Sequence, residues 1–160
     1  MHGDGSPGLR EVMSSYPTGV TIVAGREESG EPYGLTVNSF TSVSLDPPLV
    51  LVCIARTSTS HDRLVDAPHF AVNVLSAGQA EVAMRFAQEP SEGRFDRRDW
   101  RESRTGVPIL EGTTAWLECR AEHVVDGGDH TILVGRVVEA WVGDEPALLF
   151  HRGQLSSTAP

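Results

Sequence analysis

Three stretches of the 160-residue chain hold more short hydrogen-bonding side chains than a plain core element needs. The first is Gly34-Leu35-Thr36-Val37-Asn38-Ser39-Phe40-Thr41-Ser42-Val43-Ser44-Leu45. Polar atoms beside a core must find partners, and backbone amides with short hydroxyl and amide side chains match a flat heteroaromatic ring edged with carbonyls and nitrogens. Alternation of Thr36, Asn38, Ser42 and Ser44 onto a solvent face accounts for the same composition. The second stretch, Arg56-Thr57-Ser58-Thr59-Ser60-His61, follows an apolar run. A guanidinium, hydroxyls and the free amides of a helix N-terminus make a phosphate site without a glycine-rich loop; an ordinary helix cap with exposed hydroxyls reads the same way. Because the two stretches flank one strand, they could hold the ring and the phosphate of a single ligand. The third is Gly127-Gly128-Asp129-His130-Thr131, where an imidazole after a tight turn could donate a hydrogen bond to a ring or simply be solvated. His151-Arg152-Gly153 is a weaker version of it.

Other chemistries lack their signatures. There is no Walker loop, dinucleotide glycine fingerprint, HExxH pair or paired-cysteine zinc pattern. His2, His61, His69, His123, His130 and His151 are dispersed, so no metal site is expected, and no serine sits in a GxSxG elbow. The net charge is -9, and all 13 basic residues are arginine, which argues against non-specific nucleic-acid binding. The longest apolar run, Leu49 to Ala55, is far short of the roughly 20 residues of a membrane span. Met1 to Gly8 is polar and glycine-rich, unlike a secretory signal, so a cytoplasmic protein is expected. Cys53 and Cys119 stand alone, each flanked by strand-type residues, and read as two buried reduced thiols.

The positioning elements are mostly strands. A short helix is predicted over Leu9 to Ser15, ended by Tyr16-Pro17. Val20 to Ala24 and a run from Tyr33 read as a hairpin around Glu27 to Glu31, followed by a short run Val43 to Leu45. Leu49 to Ala55 is apolar throughout, as a strand covered on both faces would be. A helical turn or two over Ser58 to Asp66, a strand Phe70 to Leu75 and a helix Ala77 to Ala87 capped by Ser76 come next; Ala80, Ala83, Met84 and Ala87 would form its inner face. Gln88 to Thr105 is charged and reads as a surface loop. Thr114 to Val125 and His130 to Val142 form a long hairpin across Asp126 to Asp129, and Ala147 to Phe150 is a last strand. This pattern makes the fold mainly β, with an antiparallel sheet or barrel and a few helices. A single domain is expected over residues 9–153, with a flexible N-terminus over 1–8 and a tail over 154–160.

The runs Tyr16-Pro17-Thr18-Gly19-Val20-Thr21, Gly34 to Leu51 with Asp46-Pro47-Pro48-Leu49-Val50, Phe70-Ala71-Val72-Asn73-Val74-Leu75, Gly128-Asp129-His130-Thr131-Ile132 and His151-Arg152-Gly153 closely resemble the flavin reductase family. These are the small reductase components of two-component flavin-dependent monooxygenases. The resemblance implies an antiparallel Greek-key split barrel of the FMN-binding type, forming a homodimer with the flavin near the subunit interface. It also implies that Thr36, Val37, Asn38 and Ser39 contact the isoalloxazine and ribityl parts and that Ala55, Arg56, Ser58 and Ser60 hold the phosphate. Phe86 and Ala87 match the family's Phe-Ala near the flavin, and His130 matches the histidine on the nicotinamide side. Gln88 departs from the glycine of many relatives, and Gln154-Leu155 from their basic and aromatic pair, which leaves FMN against FAD open.

The expected activity is hydride transfer from NADH or NADPH to FMN or FAD, with reduced flavin passed to a partner monooxygenase. Such a reaction asks the protein for stacking and alignment more than for acid-base groups. The alternatives are a flavin- or haem-binding barrel without turnover, a reductase that keeps its flavin tightly, and an interaction domain whose polar strand faces water.

Overall fold

The computed structural model describes residues 8–159, so most of the predicted flexible N-terminus lies outside the described residues. In chain order the elements are α1 (Leu9–Ser14), β1 (Thr18–Gly19), β2 (Thr21–Arg26), β3 (Pro32–Val37), β4 (Phe40–Leu45), β5 (Pro48–Ala55), α2 (His61–Asp66), β6 (His69–Val74), α3 (Ala80–Gln88), β7 (Trp100–Glu102), β8 (Pro108–Leu110), β9 (Ala115–Gly127), β10 (His130–Val142), β11 (Leu148–His151) and β12 (Gln154–Ser157). The antiparallel, mainly β expectation is met.

Seven strands form one antiparallel sheet in the order β3-β2-β6-β9-β10-β5-β4. Its edge strands β3 and β4 are consecutive in sequence, joined only by Asn38 and Ser39. Laid flat, the edges of seven strands would stand about 30 Å apart, whereas this link reaches at most about 11 Å. The sheet therefore has to curl into a barrel with a split between β3 and β4, and Asn38-Ser39 bridge that split. Inside lie Val23, Tyr33, Val37, Val50, Val52, Ile54, Phe70, Val72, Cys119 and Leu133, with Leu64 of α2 closing one end. Gly135 faces the Phe70 ring, where an added Cβ would lie 2.5 Å from the ring, so the close approach of β10 requires glycine.

The outer surface is covered on one half only. Over β3, β2, β6 and the first half of β9 lie α3 and the segment from 89 to 113. Ala83 and Phe86 of α3 pack on Ile22 and Ala24, with Phe95 edge-on to Phe86 at 4.9 Å. Asn73 is fully buried and donates to the Ile22 and Pro108 carbonyls while accepting from Leu110 N–H. Glu118 is buried under residues 103–107; burial pushes its pKa up, but hydrogen bonds from Thr105 and Ser103 outweigh this and hold it below the usual glutamate value. Among the described residues no element of this kind lies over β4, β5, β10 and the far half of β9.

Four expectations change. The inner face of α3 is Ala83, Arg85 and Phe86, with Val82 packed against the same core, while Met84 and Ala87 are exposed, because the larger apolar pair Val82 and Phe86, four residues apart, sets the buried side. The charged run is not a surface loop throughout: Arg94 is buried, donating to the Gly34 and Glu89 carbonyls, and Phe95 is in the core. In β5 only Val50, Val52 and Ile54 are buried; Leu49, Leu51, Cys53 and Ala55 on the other face are half covered. The predicted tail contains β12, which pairs with β11 along Gln154 to Ser157 and sends Leu155 against the α3 core.

Candidate functional site

A cavity of about 840 Å³ opens against the uncovered surface at the split. One wall is Asn38, Ser39, Phe40 and Thr41 with Leu51 and Cys53 from the outer face of β5; facing it are Arg10, Met13 and Ser14 of α1, Tyr16 to Gly19, Phe150 and Gly153. The strands place these groups by simple rules. Ser39 extends the β4 edge, its carbonyl accepting from Cys53 N–H at 3.2 Å and its hydroxyl donating to the Cys53 carbonyl at 2.9 Å. Helix α1 docks through Arg152 N–H, which donates to the Ser14 carbonyl at 2.9 Å.

From Cys53 the same face runs two residues on to Ala55, and Ala55 pairs across the sheet with His130. Directly opposite residues hold their Cβ atoms about 5 Å apart, so Asn38, Ser39, Ala55 and His130 form one strip along the split. His130 follows a two-residue turn in which Gly128 has φ +76°, a conformation glycine supplies. Its Nδ1 lies 2.7 Å from Asp129 Oδ1, and that hydrogen bond, with the imidazole's charge, holds the Asp129 carboxyl below its usual range.

The loop after β5 is more committed than its composition predicts. Arg56 donates from Nε to the Gly128 carbonyl at 2.9 Å and from Nη2 to Asp126 at 2.5 Å, so much of its hydrogen-bonding capacity is used on the turn. Ser58 accepts from Ser60 N–H through its hydroxyl at 3.2 Å. Ser60 is fully buried, and its own hydroxyl has no hydrogen-bond partner among the described residues. Arg56, Thr57 and Thr59 are exposed at this end of the strip.

Three other predicted positions face the covered surface or the core. The Thr36 hydroxyl donates to the Ala83 carbonyl of α3 at 2.6 Å, which makes it a clamp on the helix. Val37 is in the barrel interior, and its carbonyl accepts from the Thr21 hydroxyl. Phe86 is fully buried in the second core, and Ala87 is exposed on the far side of α3. The side chains of Thr36 and Phe86 are therefore directed away from the strip containing Asn38. Conversely, Tyr16, Thr18, Phe40, Thr41, Leu51 and Cys53 line the cavity without having been assigned to it. Alternation along β5 could have found Leu51 and Cys53, since an apolar residue on the face opposite the core needs its own cover.

The donor set suits a planar, largely uncharged ring. Aromatic and aliphatic walls surround short hydroxyl and amide groups, and the cavity volume is within the range of small-molecule sites. Thr18 is on the cavity lining, and its buried hydroxyl has no hydrogen-bond partner among the described residues. A planar ring such as a flavin's suits this lining.

The comparisons with known proteins agree with this fit. A family model described as a flavin reductase like domain matches residues 13–159. The reductase subunit of a stachydrine N-demethylase from Rhizobium meliloti (strain 1021) is 46% identical over 129 residues, 81% of this chain and 56% of that protein. The solved NADH:FAD oxidoreductase of Streptomyces globisporus C-1027, in complex with NAD and FAD fragments, has a TM-score of 0.89 at 44% identity, covering 95% of this chain and 92% of that one. The flavin reductase component of a bacterial two-component tryptophan halogenase has a TM-score of 0.86 at 42% identity, covering 93% and 95%. The chain spans about half the length of several curated relatives it matches, though it covers most of these solved chains. With a family match across nearly its whole length and a shared fold, the chain belongs to the flavin reductase like domain family.

Proposed function

We infer that the chain is an NAD(P)H:flavin oxidoreductase that reduces FMN or FAD and supplies reduced flavin to a partner monooxygenase. The observation that carries this is the cavity at the split, which pairs apolar walls with mostly uncharged hydrogen-bonding groups, Arg10 of α1 being the charged side chain on its lining, and has His130 at one end of its strip. When bound, the flavin supplies the hydride-accepting chemistry. Asn38, Ser39 and Thr18 would meet the polar edge of its ring, and Phe40, Tyr16 and Leu51 would exclude water from its faces. Ala55, Ser58 and Arg56 would hold the phosphate end, with Ser60 shaping the loop from beneath. His130 would donate a hydrogen bond on the nicotinamide side. A site with few charged contacts fits a flavin that is bound, reduced and then released.

A homodimer fits the same surface. Leu51, Cys53, Ile132 and Val134 present half-buried apolar side chains on the outer face, with no element among the described residues sealed over them. A second copy of the chain laid there would cover them and complete the wall of the cavity.

The deciding experiment is anaerobic mixing of the protein with NADH, then NADPH, in the presence of FMN, FAD and riboflavin in turn. Loss of the oxidised-flavin absorbance at a rate proportional to protein is expected with at least one pair. Flavin binding without bleaching would replace the reductase with a non-catalytic flavin module, and no flavin binding at micromolar protein would leave an interaction domain.

A further inference from the structure

The loop from Arg56 to His61 grips the His130 turn at two levels. At the surface, Arg56 N–H donates to the Asp129 carbonyl at 3.0 Å, and the Arg56 side chain holds Gly128 and Asp126. In the core, His61 is 8% exposed and Thr131 3% exposed, and His61 Nε2 lies 2.8 Å from the Thr131 hydroxyl. His61 Nδ1 lies 2.7 Å from Asp62 Oδ1, which fixes the ring from its other side.

Consecutive strand residues point to opposite faces. Thr131 is the inward neighbour of His130, so a bond that fixes Thr131 from below also fixes the pleat that aims His130 outward. The need for such a bond is local. His130 is the first residue of β10, next to a two-residue turn, and its own ring is tied only to Asp129 of that turn among the described residues. The ladder pairs the His130 backbone with Ala55 and Gly127 on its two sides, so what the bond to Thr131 adds is the setting of the pleat from the core side. The bond also joins the loop expected at the phosphate end to the strand expected at the nicotinamide end, so the spacing between the two depends on it.

We propose that His61 is a positioning residue for flavin reduction, acting through Thr131 to hold His130 in register with the ring site, without touching flavin or nicotinamide. This rests on the reading of His130 as the nicotinamide-side residue. His61→Gln carries its amide out to about the place of Nε2 and keeps the bond to Thr131. In His61→Asn the amide stops near the place of Nδ1, so the partner Asp62 is kept and Thr131 is lost. Thr131→Val removes the hydroxyl with almost no change of shape.

The test is stopped-flow bleaching of bound flavin by NADH, run beside flavin titration by fluorescence and thermal unfolding for each variant. His61→Asn and Thr131→Val should each slow bleaching about tenfold with flavin affinity within about twofold of wild type, and the double variant should be no slower than either single one. His61→Gln should restore the wild-type rate within about twofold. A wild-type rate in both His61→Asn and Thr131→Val, a rate in His61→Gln as low as in His61→Asn, or additive losses in the double variant would overturn the proposal. So would losses that follow the thermal midpoint alone, which is the mark of a merely structural histidine. His130→Ala runs in parallel: wild-type bleaching there overturns this proposal together with the role of His130, whereas slow bleaching there with fast His61→Asn overturns the positioning role only. Should the His61 variants fail to fold, Thr131→Val against wild type decides the matter by the same rate and affinity readouts.

Discussion

The outer faces of β2 and β5 are made of similar residues and meet different fates. Ile22 and Ala24 on β2 are sealed completely, under Ala83, Phe86 and Leu148. Leu49, Leu51 and Cys53 on β5 are only half covered, and two of them line the cavity. An apolar strand face thus specifies that something must cover it, because exposed apolar area is unfavourable by roughly 25 cal/mol per Å². It does not specify whether the cover is a helix of the same chain, a second copy or a ligand. On one half of this barrel the chain supplies its own cover; on the other it presents the surface on which binding and assembly can occur.

The largest effect expected from this contrast is on the covered side. Phe86→Ala should lower the unfolding free energy in a denaturant titration by about 3–5 kcal/mol, since it empties a fully buried ring site, while flavin affinity of the folded protein stays unchanged. A parallel fall in affinity would show the two surfaces acting as one and would erase the distinction. On the bare side, Val134→Glu should leave the unfolding midpoint almost unmoved and weaken self-association at least roughly a hundredfold by sedimentation, because a carboxylate would be desolvated in the contact. A monomeric wild type would remove the second copy from the argument and leave the ligand as the only cover.

A smaller change sharpens the contrast at the split itself. Asn38 is exposed, so Asn38→Ala should weaken flavin binding roughly tenfold, about 1.4 kcal/mol, with no loss of stability; an equal loss from Thr36→Val would mean that Thr36 is more than a clamp for α3. The smallest effect is read on the thiols. Burial pushes the Cys119 thiol up to about 12, with the Glu118 charge adding to it, so a maleimide should leave Cys119 untouched. Cys53 lines the cavity, and added FMN should slow its labelling several-fold. Unprotected labelling would place the flavin elsewhere.

Much of this was legible in the chain because short-range physics wrote it there. The period-two runs, Pro47-Pro48, the Gly127-Gly128 turn and the Ser76 cap gave strands, hairpins and the main helix to within a few residues, His130 to Val142 among them. The crowding of short polar groups at Asn38 and Ser39 pointed to the split, and the motifs in order pointed to the family. The facing of α3 differs because a stripe drawn through its small alanines passes by Val82 and Phe86, whose larger apolar side chains set the buried side. Phe86 and Thr36 were site residues by resemblance, and a matching motif does not say which side of the sheet a side chain faces in this chain. Arg56 looked like a free charge because its partners, Asp126 and Gly128, are 70 and 72 positions away.

What the chain alone determined, then, was local: backbone preference, side-chain period and the inventory of groups able to bind a neutral ring. Which of those groups face the same space was decided only when two residues had to join the outer strands of a seven-stranded sheet. That closure put the β3–β4 link at the opening, set Ala55 against His130, and turned one apolar face toward α3 and left the other half covered. Distances of that kind depend on contacts far apart in sequence, and no local pattern carries them.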